Sequence, residues 1–255
     1  MPDEAIVLTA LDGRIGWLTL NRPEAMNAIT VALADDLEAG LRRLAAEAAV
    51  IVIRGAGGNF SAGGDVGEVA RLRAEGPEAL ARLFERFGRA LATIAELDVP
   101  VVAAVEGFAM AGGFELAQAC DIVIVADDAV LADTHLRFGQ VPGGGGSQRL
   151  PRLVGRQRAA AHILTGDRLT GREAVEWGLA YRSVPAAELE PAARALAERL
   201  AARPPAALAR AKRLVVRGLE LPLADGLAWE RAEVVDHIMS DAGAAAIAAF
   251  TGRNA

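Results

Sequence analysis

Among 255 residues there is one cysteine, Cys120, and that scarcity closes off two kinds of construction. No intrachain disulfide can form, and no zinc cluster can be assembled from thiols. Only three histidines occur. None stands in an H-E-x-x-H arrangement or another ligand spacing, so no metal centre is expected. No lysine- or arginine-rich block is present and the formal net charge is −6, which argues against general nucleic-acid binding and against adhesion to an anionic membrane surface. Apolar runs such as Val99–Val105 stop well short of the roughly 18 residues needed to span a bilayer. Residues Met1–Val7 carry Asp3 and Glu4 and no basic n-region, so a secretory signal is not expected. The chain also lacks a phosphate loop with its lysine, a G-x-G-x-x-G fingerprint and a G-x-S-x-G elbow. Acyl transfer through a serine nucleophile therefore has no support. The expectation is a soluble protein of the cytoplasm.

What is present is a large apolar fraction, 53%, with 24% charged residues. That composition suits one large domain, or one domain with a smaller appendage. Ala5–Ala10 and Ile15–Leu20 read as strands of a hairpin joined across Asp12-Gly13. Thr30 caps a helix whose stripe is Leu33, Leu37, Leu41 and Leu44. Val50–Ile53 is a strand followed by Phe60-Ser61-Ala62-Gly63-Gly64-Asp65. Helices follow from Val66 and from Pro77 to about Leu97, the latter with Pro77 in its first turn. Val99–Val105 then reads as a buried strand leading into a second small-residue junction, Ala111-Gly112-Gly113-Phe114-Glu115. Strand, glycine-rich turn and helix thus occur twice, which points to a spiral of strand-strand-helix units. A strand over Asp121–Ala126, a short one at Val130, and a loop through His135 to Gly143–Gly146 come next. After Ser147 the chain reads as helical, with a capping box at Thr170 and Glu173. The expected division is a core of residues 1–195 and a helical C-terminal region, residues 196–255, whose apolar stripes (Leu208, Leu214, Val215; Leu227, Val234, Ile238) invite self-association.

The junction at Ala111–Glu115 carries the chemistry. Two glycines open the backbone to close approach. A helix N-terminus offers unpaired N–H groups and the positive end of its dipole, which suits an oxygen that gains negative charge. Glu115 places a carboxylate in the first turn beside that opening. His135 lies between a strand and a glycine-rich loop, whereas His162 and His237 lie within helical patterns and read as structural.

Several motifs in order resemble the enoyl-CoA hydratase/isomerase (crotonase) family, over about Ile15 to Val184. They are Leu20-Asn21-Arg22-Pro23 with Asn27-Ala28; Phe60–Asp65; Gly107 through Ala117; Pro142–Gly146 before Gln148-Arg149-Leu150; and Leu164-Thr165-Gly166 with Ala174 and Gly178-Leu179. The resemblance implies a spiral of ββα repeats followed by a helical region that builds trimers, often paired into hexamers. It implies acyl-CoA thioester substrates and an enolate held by two backbone N–H groups, matched here to Ala62 and Gly112. It places coenzyme A against Ala62, Gly63, Gly64 and Asp65, as part of the thioester substrate and with no separate cofactor. Hydratases of the family use two glutamates. The first matches Glu115, and the second position, twenty residues on, is His135. An imidazole can give or take a proton near neutrality, so a 2-enoyl-CoA hydratase-type lyase with a Glu115/His135 pair is the expected activity. Isomerisation or thioester hydrolysis, and an acyl-CoA-binding role with little catalysis, are the alternatives.

Overall fold

A computed structural model describes residues 5–251 of the protein. Its opening hairpin pairs β1 (Val7–Asp12) with β2 (Ile15–Leu20) through Asp12↔Ile15. Next come α1 (Val31–Ala45), β3 (Val50–Gly55), α2 (Val66–Glu75), α3 (Pro77–Glu96) and β4 (Val101–Val105). The Thr30 side chain accepts from the Leu33 N–H at 3.0 Å, so α1 starts where the sequence places its cap. Strands β3 and β4 are buried along almost their whole length, as parallel strands covered on both faces must be. The remaining elements are β5 (Phe108–Met110), α4 (Gly112–Ala119), β6 (Ile122–Ala126), β7 (Val130–Ala132), α5 (Gly146–Val154), α6 (Arg156–Thr165), β8 (Leu169–Thr170), α7 (Gly171–Glu176), β9 (Arg182–Val184), α8 (Leu189–Ala201), α9 (Pro205–Gly218), α10 (Leu223–Met239) and α11 (Asp241–Thr251).

The larger sheet runs β1-β2-β3-β4-β6-β9, parallel except for β1, and a smaller one runs β5-β7-β8. Successive turns of the chain place one strand in each sheet: β4 then β5, β6 then β7. This is the spiral expected from the repeated strand–turn–helix pattern. Strand β5 was not expected, because three residues between Gly107 and Ala111 carry too little pattern to separate from the junction. It matters all the same. Single bridges join Ser61 to Ala109 and Ile29 to Gly64, with Ser61 N–H donating to Phe108 O and Met110 N–H to Ser61 O, both at 2.9 Å. The two glycine-rich junctions, far apart in sequence, therefore lie side by side.

The division expected between residues 195 and 196 falls inside α8. That helix packs as one piece on β3, β4 and β6, burying Ala193, Leu196, Ala197 and Ala201, so it belongs to the core. The peripheral helices begin at α9. Lys212 tethers α9 to the core, its buried ammonium donating to Ile94 O at 2.6 Å and Val99 O at 2.9 Å and pairing with Asp121 at 2.8 Å. Beyond it, α10 buries none of its residues, and Leu223, Val235, Met239 and Phe250 are exposed. Among the described residues no helix is long and apolar enough to cross a membrane.

Candidate active site

The segment Arg22–Ala28 shapes the first junction. Asn27 adopts a left-handed conformation, φ 56°, and is fully buried. Its side chain accepts from Arg22 N–H and donates to the Ala56 and Asn59 carbonyls. Arg22 in turn donates to Ala28 O at 2.6 Å and pairs with Asp65 at 3.0 Å. Asp65 also caps α2 by accepting from Glu68 N–H. That bond, with the Arg22 guanidinium, holds its carboxyl below the usual range. Gly63, at φ +98°, lets the two junctions touch, since a Cβ there would sit 2.9 Å from Met110 O and 3.2 Å from Gly112 N.

The second junction turns at Ala111, whose φ of 46° and ψ of −115° lie in a region that favours glycine. Ala111 N–H is fixed to Ala132 O at 2.9 Å. The turn opens α4 at Gly112, so Gly112 N–H meets no partner among the described residues. Gly64 N–H is equally free. The Ala62 N–H, by contrast, donates to Met26 O at 2.9 Å. This corrects the donor matched by sequence: Ala62 cannot offer its N–H to a ligand oxygen, while Gly64, two residues on, can. Gly64 and Gly112 both line a cavity of about 430 Å³.

Glu115 projects into that cavity from the first turn of α4 and is only 2% exposed. Its Oε1 accepts from the N–H groups of Gly144 and Gly146, both at 2.8 Å. These glycines explain the run before Gln148-Arg149-Leu150: a Cβ on Gly144 would lie 2.5 Å from Glu115 Oε2 and 2.6 Å from Phe87. Arg149 pins the same loop by donating to Gly144 O at 2.6 Å. With Oε1 so occupied, Oε2 is the oxygen that faces His135. Burial raises the Glu115 pKa, against the two N–H groups and the His135 charge, which favour the carboxylate.

His135 faces it from the turn after β7, with Nε2 4.0 Å from Glu115 Oε2. A single water bridges such a gap with ordinary hydrogen bonds. The other ring nitrogen, Nδ1, lies 2.7 Å from Asp133 Oδ1. Burial acts to lower the His135 pKa, but the Asp133 hydrogen bond and charge, together with Glu115, outweigh it and the net shift is upward. Asp133 escaped the sequence reading. Asp133 and His135 both follow the end of β7, and His135 already lies in a helical turn, so no strand alternation marked the pair. The rest of the cavity is mostly apolar, with Leu83, Phe84, Phe87, Phe138 and Val141 among its walls, and Thr134 and Gln140 as its other polar side chains. Gly63 and Asp65 do not line it. Among the described residues no group of three or more His, Cys, Asp or Glu could hold a metal ion.

One cavity is thus lined by two glycines with free N–H groups, by two titratable side chains 4.0 Å apart, and by a largely apolar wall. Comparisons with known proteins show what the chain as a whole is similar to. The sequence profile of the enoyl-CoA hydratase/isomerase family matches residues 11–254. A probable enoyl-CoA hydratase of Rhizobium meliloti is 39% identical over 227 residues, covering 88% of this chain and 86% of that protein. The mitochondrial enoyl-CoA hydratase of Pongo abelii is 35% identical over 219 residues, with 85% and 74% covered. The crystal structure of an enoyl-CoA hydratase from Polaromonas sp. JS666 superposes with a TM-score of 0.93 at 33% identity, covering 97% of each chain.

Proposed function

The chain belongs to the enoyl-CoA hydratase/isomerase family, and from that premise we propose that it adds water across the conjugated double bond of a 2-enoyl-CoA thioester. The observation that carries the proposal is the pairing of Glu115 Oε2 and His135 Nε2 across 4.0 Å, beside the free N–H groups of Gly64 and Gly112. Together they supply what the reaction needs. The thioester carbonyl oxygen accepts from Gly64 and Gly112, and negative charge accumulates on it as the enolate forms. Donors so placed contribute about 3–4 kcal/mol each to such a transition state. Glu115 Oε2 takes a proton from water as its oxygen bonds to Cβ. The imidazolium of His135 gives its Nε2 proton to Cα, which restores the carbonyl. Proton transfer from Glu115 to the neutral ring resets the pair, and the net change is addition of one water.

Coenzyme A is carried in by the substrate rather than held as a resident cofactor. The Ala62 carbonyl, without a partner among the described residues, is an acceptor on the approach to the cavity. Ala62–Asp65 thus remains the proposed contact for the CoA portion, with Gly63 and Asp65 shaping the loop. We place the enzyme in the cytoplasm, as a homotrimer or a pair of trimers joined through α9–α11. Isomerisation and thioester hydrolysis use the same donors. The Glu115/His135 pair, 4.0 Å apart, favours hydration because it presents both a base and an acid to one water and Cα. The test is loss of the conjugated-thioester absorbance when crotonyl-CoA or longer enoyl-CoAs are added. Release of free CoA, followed with a thiol reagent, marks hydrolysis instead.

A further inference from the structure

The second carboxylate behind the ring has no place in the reaction just described. Asp133 is wholly buried, and its Oδ1 accepts from the His135 backbone N–H at 3.3 Å as well as meeting Nδ1 at 2.7 Å. Its Oδ2 is buried and meets no hydrogen-bond partner among the described residues. A buried carboxylate without a positive partner is costly, and the His135 ring is the cation within reach. Every other neighbour is accounted for. His162, from α6, accepts the Asp133 backbone N–H on its Nε2 at 3.2 Å, so that nitrogen carries a lone pair and the ring is neutral. Burial also keeps it so. Arg149, from α5, is committed to Gly144 O. Arg137 packs against Gly166, away from the pair. Glu115, from α4, faces Nε2 at 4.0 Å.

We propose that Asp133 is a positioning residue for His135: it holds a proton on Nδ1, fixes the ring plane, and so makes Nε2 the end that exchanges protons with Glu115 and the bound acyl group. The assignment rests on the hydration reading for its consequence, but the tie itself exists in the resting enzyme. It also accounts for a histidine at a position that hydratases of the family fill with glutamate. An imidazole held by a buried carboxylate stays protonated to higher pH than a free one and can serve as the acid.

The test is Asp133→Asn in the full-length enzyme, read in two ways. Titration of the His135 ring by nitrogen-15 NMR needs no substrate. The wild-type ring should keep Nδ1 protonated throughout and titrate above a free imidazole, and the variant should titrate lower. With enoyl-CoA, the alkaline limb of kcat/KM should move to lower pH with the ring, and kcat near neutrality should fall about 10²-fold, recovering toward acid pH. In a His135→Gln background Asp133→Asn should cost no further activity, whereas a merely structural role would cost it again. An unchanged ring titration, or a wild-type ring with Nδ1 deprotonated, overturns the proposal even in an enzyme that turns over. If no enoyl-CoA is hydrated, the hydration reading fails while the ring titration still decides the tie. Should Asp133→Asn not fold, the wild-type Nδ1 state decides it alone.

Discussion

In the proposed reaction Glu115 works with one oxygen because the other is already hydrogen-bonded. Gly144 and Gly146 saturate Oε1, leaving Oε2 to exchange protons toward His135 and the cavity. Glu115→Gln keeps the size and the N–H contacts but removes the base. It should lower kcat about 10²–10⁴-fold while acyl-CoA still raises the melting temperature; retained turnover would remove Glu115 from the mechanism. Gly144→Ala should also be severe, since its methyl would collide with both Oε2 and Phe87; a rate within a few-fold of wild type would show that the loop yields. The pH profile follows from the directions of the two shifts. Glu115 is raised by burial, so base activity should disappear as pH falls through a value above the ordinary carboxylate range. His135 is raised, so acid activity should persist past the ordinary imidazole range and disappear as pH rises through its folded value. The rate should therefore peak between two limbs, both displaced upward. The signs for stability differ between the two groups. The His135 contribution is fully present below its unfolded pKa and is lost as pH rises through the folded one. The raised Glu115 pKa favours the fold as pH falls and opposes it in the ionised range.

Among the elements, the two glycine-rich junctions bear the strain and the hydrogen bonds that make the site. Asn27→Ala would strip Arg22 N, Ala56 O and Asn59 O of partners at a buried left-handed position. A loss of about 2–4 kcal/mol follows, measurable by urea denaturation, with the rate falling as the Ala62–Asp65 loop loosens. Ala111→Gly should do the opposite for stability, gaining about 1 kcal/mol at a φ that disfavours a Cβ. These junctions also mark how far sequence carries the structure. The hairpin forms, but its first strand is Val7–Asp12 rather than Ala5–Ala10, with Asp12 inside the ladder. The Thr30 cap, the stripe of α3 and the Thr170–Glu173 capping box are local signals, and each element stands where its signal lies. So do Glu115 and His135, because chain order and residue type carry them. The Gly64 donor was two residues away from its sequence match because hydrogen bonding to Met26, through a turn remote from the motif, decides which N–H is free. Strand β5 exists by pairing with β7 and Ser61, not by its own three residues. The Asp133–His135 contact needed the fold to bury one and aim the other.

At the scale of the whole molecule, the core ends after α8 and the last helices carry apolar surface that no described residue covers. Light scattering should give the mass of a trimer or a pair of trimers. Met239→Glu with Leu223→Glu should shift it toward the monomer, whereas a monomeric wild type would contradict the assembly. The net charge of −6 gives no long-range attraction for anionic coenzyme A, so binding should depend on local backbone groups and the apolar channel and vary little with salt. In the proposed reaction a buried glutamate and a tethered histidine add water to an enoyl thioester. Its most direct measurement is the absorbance of the conjugated thioester in crotonyl-CoA and longer enoyl-CoAs mixed with enzyme, with free thiol followed in parallel. The account predicts that the absorbance falls to an equilibrium value without thiol release and that Glu115→Gln abolishes the change. Absorbance that stays constant at every chain length, or that falls only in step with thiol release, would contradict it.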